Sequence, residues 1–308
     1  MDFASADVSQ LIRHGESFLS MRGVPNARRN AEWLLAHVLA CRSADLYLDT
    51  RYVPAPAQRK AYERLLERRG AREPLQYILG MTEFMSLPFY AVPGVFIPRP
   101  DTEILVERIE EHLIRANDSP SGAGDVSWMA RALRNTTPRV LLDLCSGSGV
   151  VAVSIVKRVA RTVATAVDVS PMATDVAAKN AELNCVGRRV DCICADAVEF
   201  LERNERCFDV IACNPPYVPS DDIASLAPEI QLHEPRLGLD GGRRGLDFYC
   251  AIVRSLRRSL KPGGAAFFEI GAGQAESVCE LLAGESLDEL TVHKDYAGND
   301  RVVVARLS

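Results

Sequence analysis

Apolar positions along this chain of 308 residues keep two different rhythms, and the change from one to the other divides it. From residue 6 to about 72 they return at helical spacing: Ala27, Ala31, Leu34, Leu35, Val38 and Leu39 fall at i, i+4, i+7, i+8, i+11 and i+12 behind Asn26 as an N-cap. Ala57 to Arg69 repeats the pattern with Ala61, Leu65 and Leu66 and stops at Gly70. This predicts a small N-terminal helical domain, residues 1–72. Between 75 and 98 the pattern turns to β-formers, Tyr77, Ile78, Phe84, Phe89, Tyr90, Val92, Val95, Phe96 and Ile97, broken by Gly80, Pro88 and Pro93-Gly94. A connecting β-hairpin over residues 73–100 follows. Asp101 then stands where it would cap an amphipathic helix running from Thr102 to about Arg115.

From Arg139 onward short apolar runs alternate with helical stretches of about a dozen residues, the signature of strands crossing over through helices. The runs are 140–144, 162–169, 190–194, 208–213 and 265–270, with Leu290 to His293 and Arg301 to Arg306 closing the chain. Ser170-Pro171 illustrates the joins, an N-cap followed by proline at the first helical position. The predicted class is α/β: a doubly wound, mainly parallel, seven-stranded sheet filling residues 101–308. Residues 117–138, rich in Gly, Ser, Asp and Pro at their start, read as a mobile insertion.

Composition narrows the setting. A hydrophobic share of 47% with 25% charge is that of a globular protein with room for two domains. No run approaches a membrane span, and Asp2 and Asp7 spoil any signal-peptide layout. The expected place is the cytoplasm. Nine cysteines without a C-x-x-C pair suit free thiols. The five histidines show no metal-ligand spacing, so no metal is expected. A net charge of −5 argues against stable nucleic-acid binding. Residues 1–80 nevertheless carry twelve Lys+Arg against nine Asp+Glu, a slight basic excess that would help dock an acidic partner.

The sharpest local feature is Asn214-Pro215-Pro216-Tyr217, directly after the buried run 208–213. Ligands of open α/β sheets sit at such strand ends. Two prolines fix φ, push Asn214 out of the helical region and leave carbonyls without competing N–H groups. The corner is stiff and rich in acceptors, suited to receive the hydrogens of an NH2 group, whereas the tetrapeptide alone also reads as a plain turn.

Asp143-Leu144-Cys145-Ser146-Gly147-Ser148-Gly149 ends the first sheet run and opens a helix, so its backbone turns tightly beside a nucleotide-like ligand. In a G-x-G-x-x-G dinucleotide fingerprint the first and third glycines would fall at Cys145 and Val150, and neither is glycine. Asp143 would repel a phosphate but support, directly or through water, the ammonium of a methionine moiety. Asp168 closes the second run, where a carboxylate accepts ribose hydroxyls. Asp196 after the third would accept from an adenine amino group, with Ala197 beside the ring. Each acid alone is an ordinary loop carboxylate; together with the glycine turn they favour S-adenosyl-L-methionine, which carries no phosphate.

Further stretches carry a resemblance. Phe96-Ile97-Pro98-Arg99-Pro100-Asp101-Thr102-Glu103, Glu234-Pro235-Arg236-Leu237-Gly238-Leu239-Asp240-Gly241-Gly242 with Gly245-Leu246, Leu260-Lys261-Pro262-Gly263-Gly264 and Asp295-Tyr296-Ala297-Gly298-Asn299-Asp300-Arg301 join Asn-Pro-Pro-Tyr. In this combination the chain resembles the HemK/PrmC protein-(glutamine-N5) methyltransferases, release-factor branch, from about residue 10 to the end except 117–138. The resemblance implies a class I S-adenosylmethionine-dependent fold. It implies methyl transfer to the glutamine of the Gly-Gly-Gln loop of class-1 peptide release factors, with S-adenosyl-L-homocysteine as product, by a monomer whose helical domain holds the protein substrate. The family commonly has glycine where this chain has Cys145, so Cys145 is expected to hold a conformation open to a residue with Cβ, its thiol packed.

A carboxamide nitrogen is a poor nucleophile, so orientation and electrostatics must supply the rate. Asn214 and the Pro215 carbonyl would hold the NH2 group; Pro216, Tyr217, Phe96, Pro98, Arg99 and Pro100 would wall it. Arg99 also reads as an ordinary ion-paired residue. The other readings are glutamine methylation of a ribosomal protein, a DNA or RNA amino-group methyltransferase, which would have to flip its base and grip phosphates, and a cofactor-binding module without activity.

Overall fold

A computed structural model describes residues 5–118, 138–285 and 287–307, and the sequence folds into two compact units. The first holds the described residues up to Met81 together with Ala91–Pro93 and Ala227–His233. It is built on helices α1 (Val8–Ser20), α2 (Ala27–Leu39), α3 (Pro56–Gly70) and the single turn α4 (Leu75–Leu79). Asp7 caps α1 in a reciprocal capping box with Gln10. Asn26 does precede α2, but in the left-handed region and without a side-chain cap bond. Leu11, Leu19, Leu34, Leu35, Tyr62 and Leu66 are buried in this unit's core. Gly15 lets the helices close: a Cβ there would stand 2.9 Å from the Ala31 Cβ. Buried Arg69 donates to Asn30 Oδ1 (2.7 Å) and Glu229 Oε1 (2.7 Å), and Arg72 to Glu229 Oε2 (2.6 Å). Segment 227–233, which carries the short helix α9 (Pro228–His233), is thereby tied to the helical unit.

The hairpin is shorter than its β-formers suggest: β1 (Met81–Phe84) pairs with β2 (Leu87–Tyr90), while 75–79 is helical and 91–98 carries no strand. Leu75, Tyr77 and Ile78 are all buried, whereas in a strand the neighbours Tyr77 and Ile78 would face opposite ways. Pro93 and Pro98 remove donors that a longer ladder needs.

The second unit centres on a seven-stranded sheet of order β5-β4-β3-β6-β7-β9-β8. Its strands are β3 (Arg139–Leu144), β4 (Thr162–Asp168), β5 (Val190–Cys194), β6 (Phe208–Cys213), β7 (Leu260–Glu269), β8 (Asp288–Lys294) and β9 (Asp300–Arg306). β3 to β7 run parallel and β9 lies antiparallel between β7 and β8. This is the doubly wound sheet expected, with β7 beginning five residues early and shifting register against β6 between Phe208 and Val210. The helices are α5 (Thr102–Asp118), α6 (Val150–Arg158), α7 (Pro171–Leu183), α8 (Ala197–Arg203), α10 (Asp247–Ser259) and α11 (Ala275–Gly284).

Alternation along the strands sorts two cores. Leu141, Ala164, Val210 and Phe267 pack with α5 and α6 on one face; Leu142, Val167, Ile211 and Phe268 pack with α8, α10 and α11 on the other. Asp101 does not cap α5 as expected. Its carbonyl accepts from Ile104 N–H (3.2 Å), while its carboxylate lies 3.4 Å from Arg301, and the carbonyls of Arg99 and Pro100 take Thr102 and Glu103 N–H. The insertion 117–138 lies, apart from its ends, outside the described residues. No helix among the described residues is long and apolar enough to cross a membrane.

Candidate active site

The turn after β3 gathers the predicted cofactor residues. Ser146 N–H donates to the Val167 carbonyl (3.1 Å) and Gly149 N–H to the Ser146 carbonyl (2.7 Å), folding 145–149 back onto β4. Gly147 and Gly149 take φ of +53° and +78°. Gly149 is needed twice over, since a Cβ there would stand 2.9 Å from the Ala177 Cβ of α7. Gly147 has nothing within 4 Å of such a Cβ, so its backbone borders open space. Cys145 departs from expectation: its φ of +54° is left-handed, the region that favours glycine. Its thiol packs beside Cys213 at the end of β6 and helps, after burial, to push that thiol's pKa far up.

The three acids differ in what they face. Asp143 is 1% exposed and accepts Ala152 N–H (3.0 Å), which fastens β3 to the first turn of α6. Odd positions of β3 share the α6 face, so this carboxylate points into the fold and offers no surface for a direct ligand bond. Burial pushes its pKa up to about 7, opposed by that hydrogen bond. Asp168 accepts Gly147 N–H through Oδ2 (2.8 Å) and Ser170 N–H through Oδ1 (2.9 Å); each oxygen keeps a further lone pair for a hydroxyl. Asp196 caps α8 through Oδ1, toward Val198 (2.9 Å) and Glu199 (3.1 Å) N–H, leaving Oδ2 outside the cap, and Ala197 is buried behind it. Ser148 is buried, and Ser146 Oγ is a buried hydroxyl without a partner among the described residues. A glycine turn over open space, an orphan hydroxyl and carboxylates at successive strand ends fit a hydroxyl-bearing, cationic, phosphate-free nucleoside.

The acceptor corner stands beside this turn because Cys213 is in register with Leu144, which sets Asn214 next to Cys145. Asn214 Nδ2 donates to Thr102 Oγ1 (3.2 Å), and Oδ1 has no partner among the described residues. Tyr217 Oη donates to Glu269 Oε1 (3.1 Å). Gln274 Nε2 donates to the Tyr217 (3.0 Å) and Gly245 (3.2 Å) carbonyls. Segment 234–246 clasps the corner from outside: Val218 N–H donates to the Leu239 carbonyl and Gly241 N–H to the Val218 carbonyl, each 2.9 Å. A Cβ on Gly241 would come within 2.7 Å of the Pro216 carbonyl oxygen. That close approach explains Gly241, while Gly242 takes a φ of +82° and would set a Cβ against the Asp247 carboxylate. Pro215 is buried and Pro216 half-buried.

Arg99 does not hang free. Its guanidinium stacks over the Phe96 ring (4.7 Å) and donates to Glu234 Oε1 (2.6 Å), while Ile97 N–H donates to Glu234 Oε2 (3.3 Å). Phe96, Pro98 and Arg99 are half-buried and Pro100 is exposed. Sequence reasoning passed over Thr102, Glu269 and Gln274. The one available signal was a charge closing the apolar run Ala265-Ala266-Phe267-Phe268, because a buried carboxylate needs partners.

Comparisons with known proteins give the family. The PrmC N-terminal domain profile matches residues 10–80 and the methyltransferase small domain profile residues 126–231. The release factor glutamine methyltransferase of Geobacter sulfurreducens is 39% identical over 300 residues, 97% of this chain and 96% of the relative. That of Thermodesulfovibrio yellowstonii is 35% identical over 280 residues, 91% of this chain and 92% of the relative. Among solved structures, the hMettl16 catalytic domain in complex with a 3'UTR hairpin aligns with a TM-score of 0.52 at 13% identity, over 79% of this chain and 82% of that one, a likeness of fold alone. Identity above a third across nearly the whole of both chains exceeds anything a shared fold requires. The chain belongs to the release factor glutamine methyltransferase family.

Proposed function

We propose that this chain transfers the methyl group of S-adenosyl-L-methionine to the side-chain amide nitrogen, N5, of the glutamine in the Gly-Gly-Gln motif of class-1 peptide chain release factors. The observation that carries the reading is the Asn214 amide, tied by Nδ2 to Thr102 and presenting Oδ1 at a proline-stiffened corner beside the 145–149 turn. The methyl donor supplies an electrophilic carbon on a sulfonium and leaves as S-adenosyl-L-homocysteine. Asp168 and Asp196 would hold its ribose and adenine ends, Ser146 Oγ offers an unspent hydroxyl, and Asp143 supports the turn from beneath. Asn214 Oδ1 and the Pro215 carbonyl accept the glutamine NH2 hydrogens, which orients the nitrogen lone pair and favours positive charge developing there. Tyr217, Pro216 and the Phe96-Arg99 wall enclose the amide and exclude water. The proton is lost after transfer, because an alkylated amide is strongly acidic.

The helical unit, matched by the PrmC N-terminal profile, holds the protein substrate. A translation factor as substrate places the reaction in the cytoplasm, and the chain works as a monomer without stable nucleic-acid binding. Replacing Asn214 by Ala removes the acceptor and is expected to lower kcat about 100- to 1,000-fold, with methyl-donor affinity within about twofold by titration calorimetry. Turnover equal to the parent enzyme would sink the assigned role of Asn214.

A further inference from the structure

Beneath the acceptor corner lies a carboxylate that the reaction as described does not use. Glu269 ends β7 and is 0% exposed; Phe268 is in register with Cys213, so Glu269 falls beside Asn214. Its Oε1 accepts the Tyr217 hydroxyl (3.1 Å), and its Oε2 is buried without a partner among the described residues. The hydroxyl of Thr102, itself 1% exposed, counts among the groups that oppose the upward push of burial on this carboxyl. Thr102 Oγ1 also accepts from Asn214 Nδ2 (3.2 Å). A hydroxyl owns one hydrogen. Asn214 donates to the oxygen and leaves that hydrogen for Glu269.

We propose that Glu269 and Thr102 are positioning residues that fix which end of the Asn214 amide faces the methyl acceptor. The two ends of an asparagine side chain have almost the same shape, and only their partners decide the orientation. In this relay the unpartnered Glu269 Oε2 takes the Thr102 hydrogen and leaves Thr102 Oγ1 as the acceptor toward Asn214, so that Nδ2 is drawn inward and Oδ1 outward. Turned over, Asn214 would point an NH2 group at the substrate's NH2 group, donor against donor. Tyr217, tethered to the same carboxylate, couples the corner's ring wall to this relay. Asp101 and Arg301 also face Glu269, one raising and the other lowering its hold on a proton. This inference rests on the proposed function for its substrate but concerns residues that touch neither substrate nor cofactor.

The test is steady-state kinetics of Thr102→Val, Thr102→Ser and Glu269→Gln with a release factor and S-adenosyl-L-methionine. In Glu269→Gln the new amide can donate to Thr102 and reverse the relay. Thr102→Val and Glu269→Gln are expected to lose about 10- to 100-fold in kcat, with KM for the release factor and donor affinity within about twofold, while Thr102→Ser stays within about threefold of the parent. Their double variant should be no slower than Thr102→Val. Parent-like kcat in Thr102→Val, equal losses in donor affinity, or failure of Thr102→Ser to retain activity would each overturn the relay. Should Glu269→Gln not fold, the Thr102 pair decides alone. A parent enzyme that fails to methylate release factor counts instead against the proposed function, and the relay is then read without turnover. The side-chain NH2 resonances of Asn214 should exchange slowly in the parent and quickly in Thr102→Val; equally fast exchange in both would contradict it.

Discussion

Asp143 shows how one side chain carries both structure and a pH signature. Burial raises its pKa from an ordinary 3.8 to about 7, with the Ala152 hydrogen bond opposing and the Asp168 charge adding. The folded state thus holds this proton more tightly than the unfolded state. The resulting stabilisation is complete below the unfolded pKa and is lost as pH rises through about 7. Asp143→Asn removes the titration yet keeps an oxygen for Ala152. Its thermal midpoint should fall less than the parent's between about pH 5 and about pH 8; parallel slopes would contradict the burial argument. Some slope remains in the variant, since burial also raises Glu269 to about 7. That Asp143 closes a strand was legible from Val140-Leu141-Leu142-Asp143-Leu144, and alternation even assigns it the face of Leu141. Its full burial was not legible, because that depends on α6 arriving above it. Cys145 was misjudged for a related reason: a left-handed φ is set by the path of the turn rather than by the residue occupying it.

At the scale of elements the strands along the chain were legible in the apolar runs, because the central ones, β3, β6 and β7, are buried on both faces over most of their length and bounded by turn residues. The errors came where that contrast fades. Leu75 to Leu79 has β-forming composition but packs the neighbours Ile78 and Leu79 against one core, as a helical turn does and an alternating strand does not. β7 reaches back through Lys261-Pro262-Gly263-Gly264 because Leu260 pairs with Phe208 before the register shift, a long-range pairing that turn-forming residues conceal. The junction of turn and helix at Gly149 offers a stringent test. Ala there would meet Ala177 at 2.9 Å and hold φ near +78°, so Gly149→Ala should destabilise by about 1–3 kcal/mol and weaken donor binding. Chemical denaturation with an unchanged midpoint would show that α6 and α7 are not held as close as described.

On the scale of the molecule, the chain after the acceptor corner leaves the sheet unit at Leu226, contributes 227–233 to the helical unit and returns at Glu234. Nothing periodic announces this, since Glu229 finds its partners Arg69 and Arg72 some 160 and 157 positions away. The site divides in the same manner. Asn214 to Tyr217, the 145–149 turn and the strand-end acids were readable because each is local; Thr102, Glu269 and Gln274, brought in from three other elements, were not. The family places the reaction, and the role proposed for the corner is to orient an unreactive amide for it. The most direct measurement of that account is incubation of the enzyme with methyl-labelled S-adenosyl-L-methionine and a mixture of class-1 release factor, ribosomal proteins, DNA and tRNA, followed by peptide mapping. Label on N5 of the Gly-Gly-Gln glutamine, lost with Asn214→Ala, is the result predicted; label on a ribosomal protein or nucleic acid, with the release factor unmodified, would contradict it.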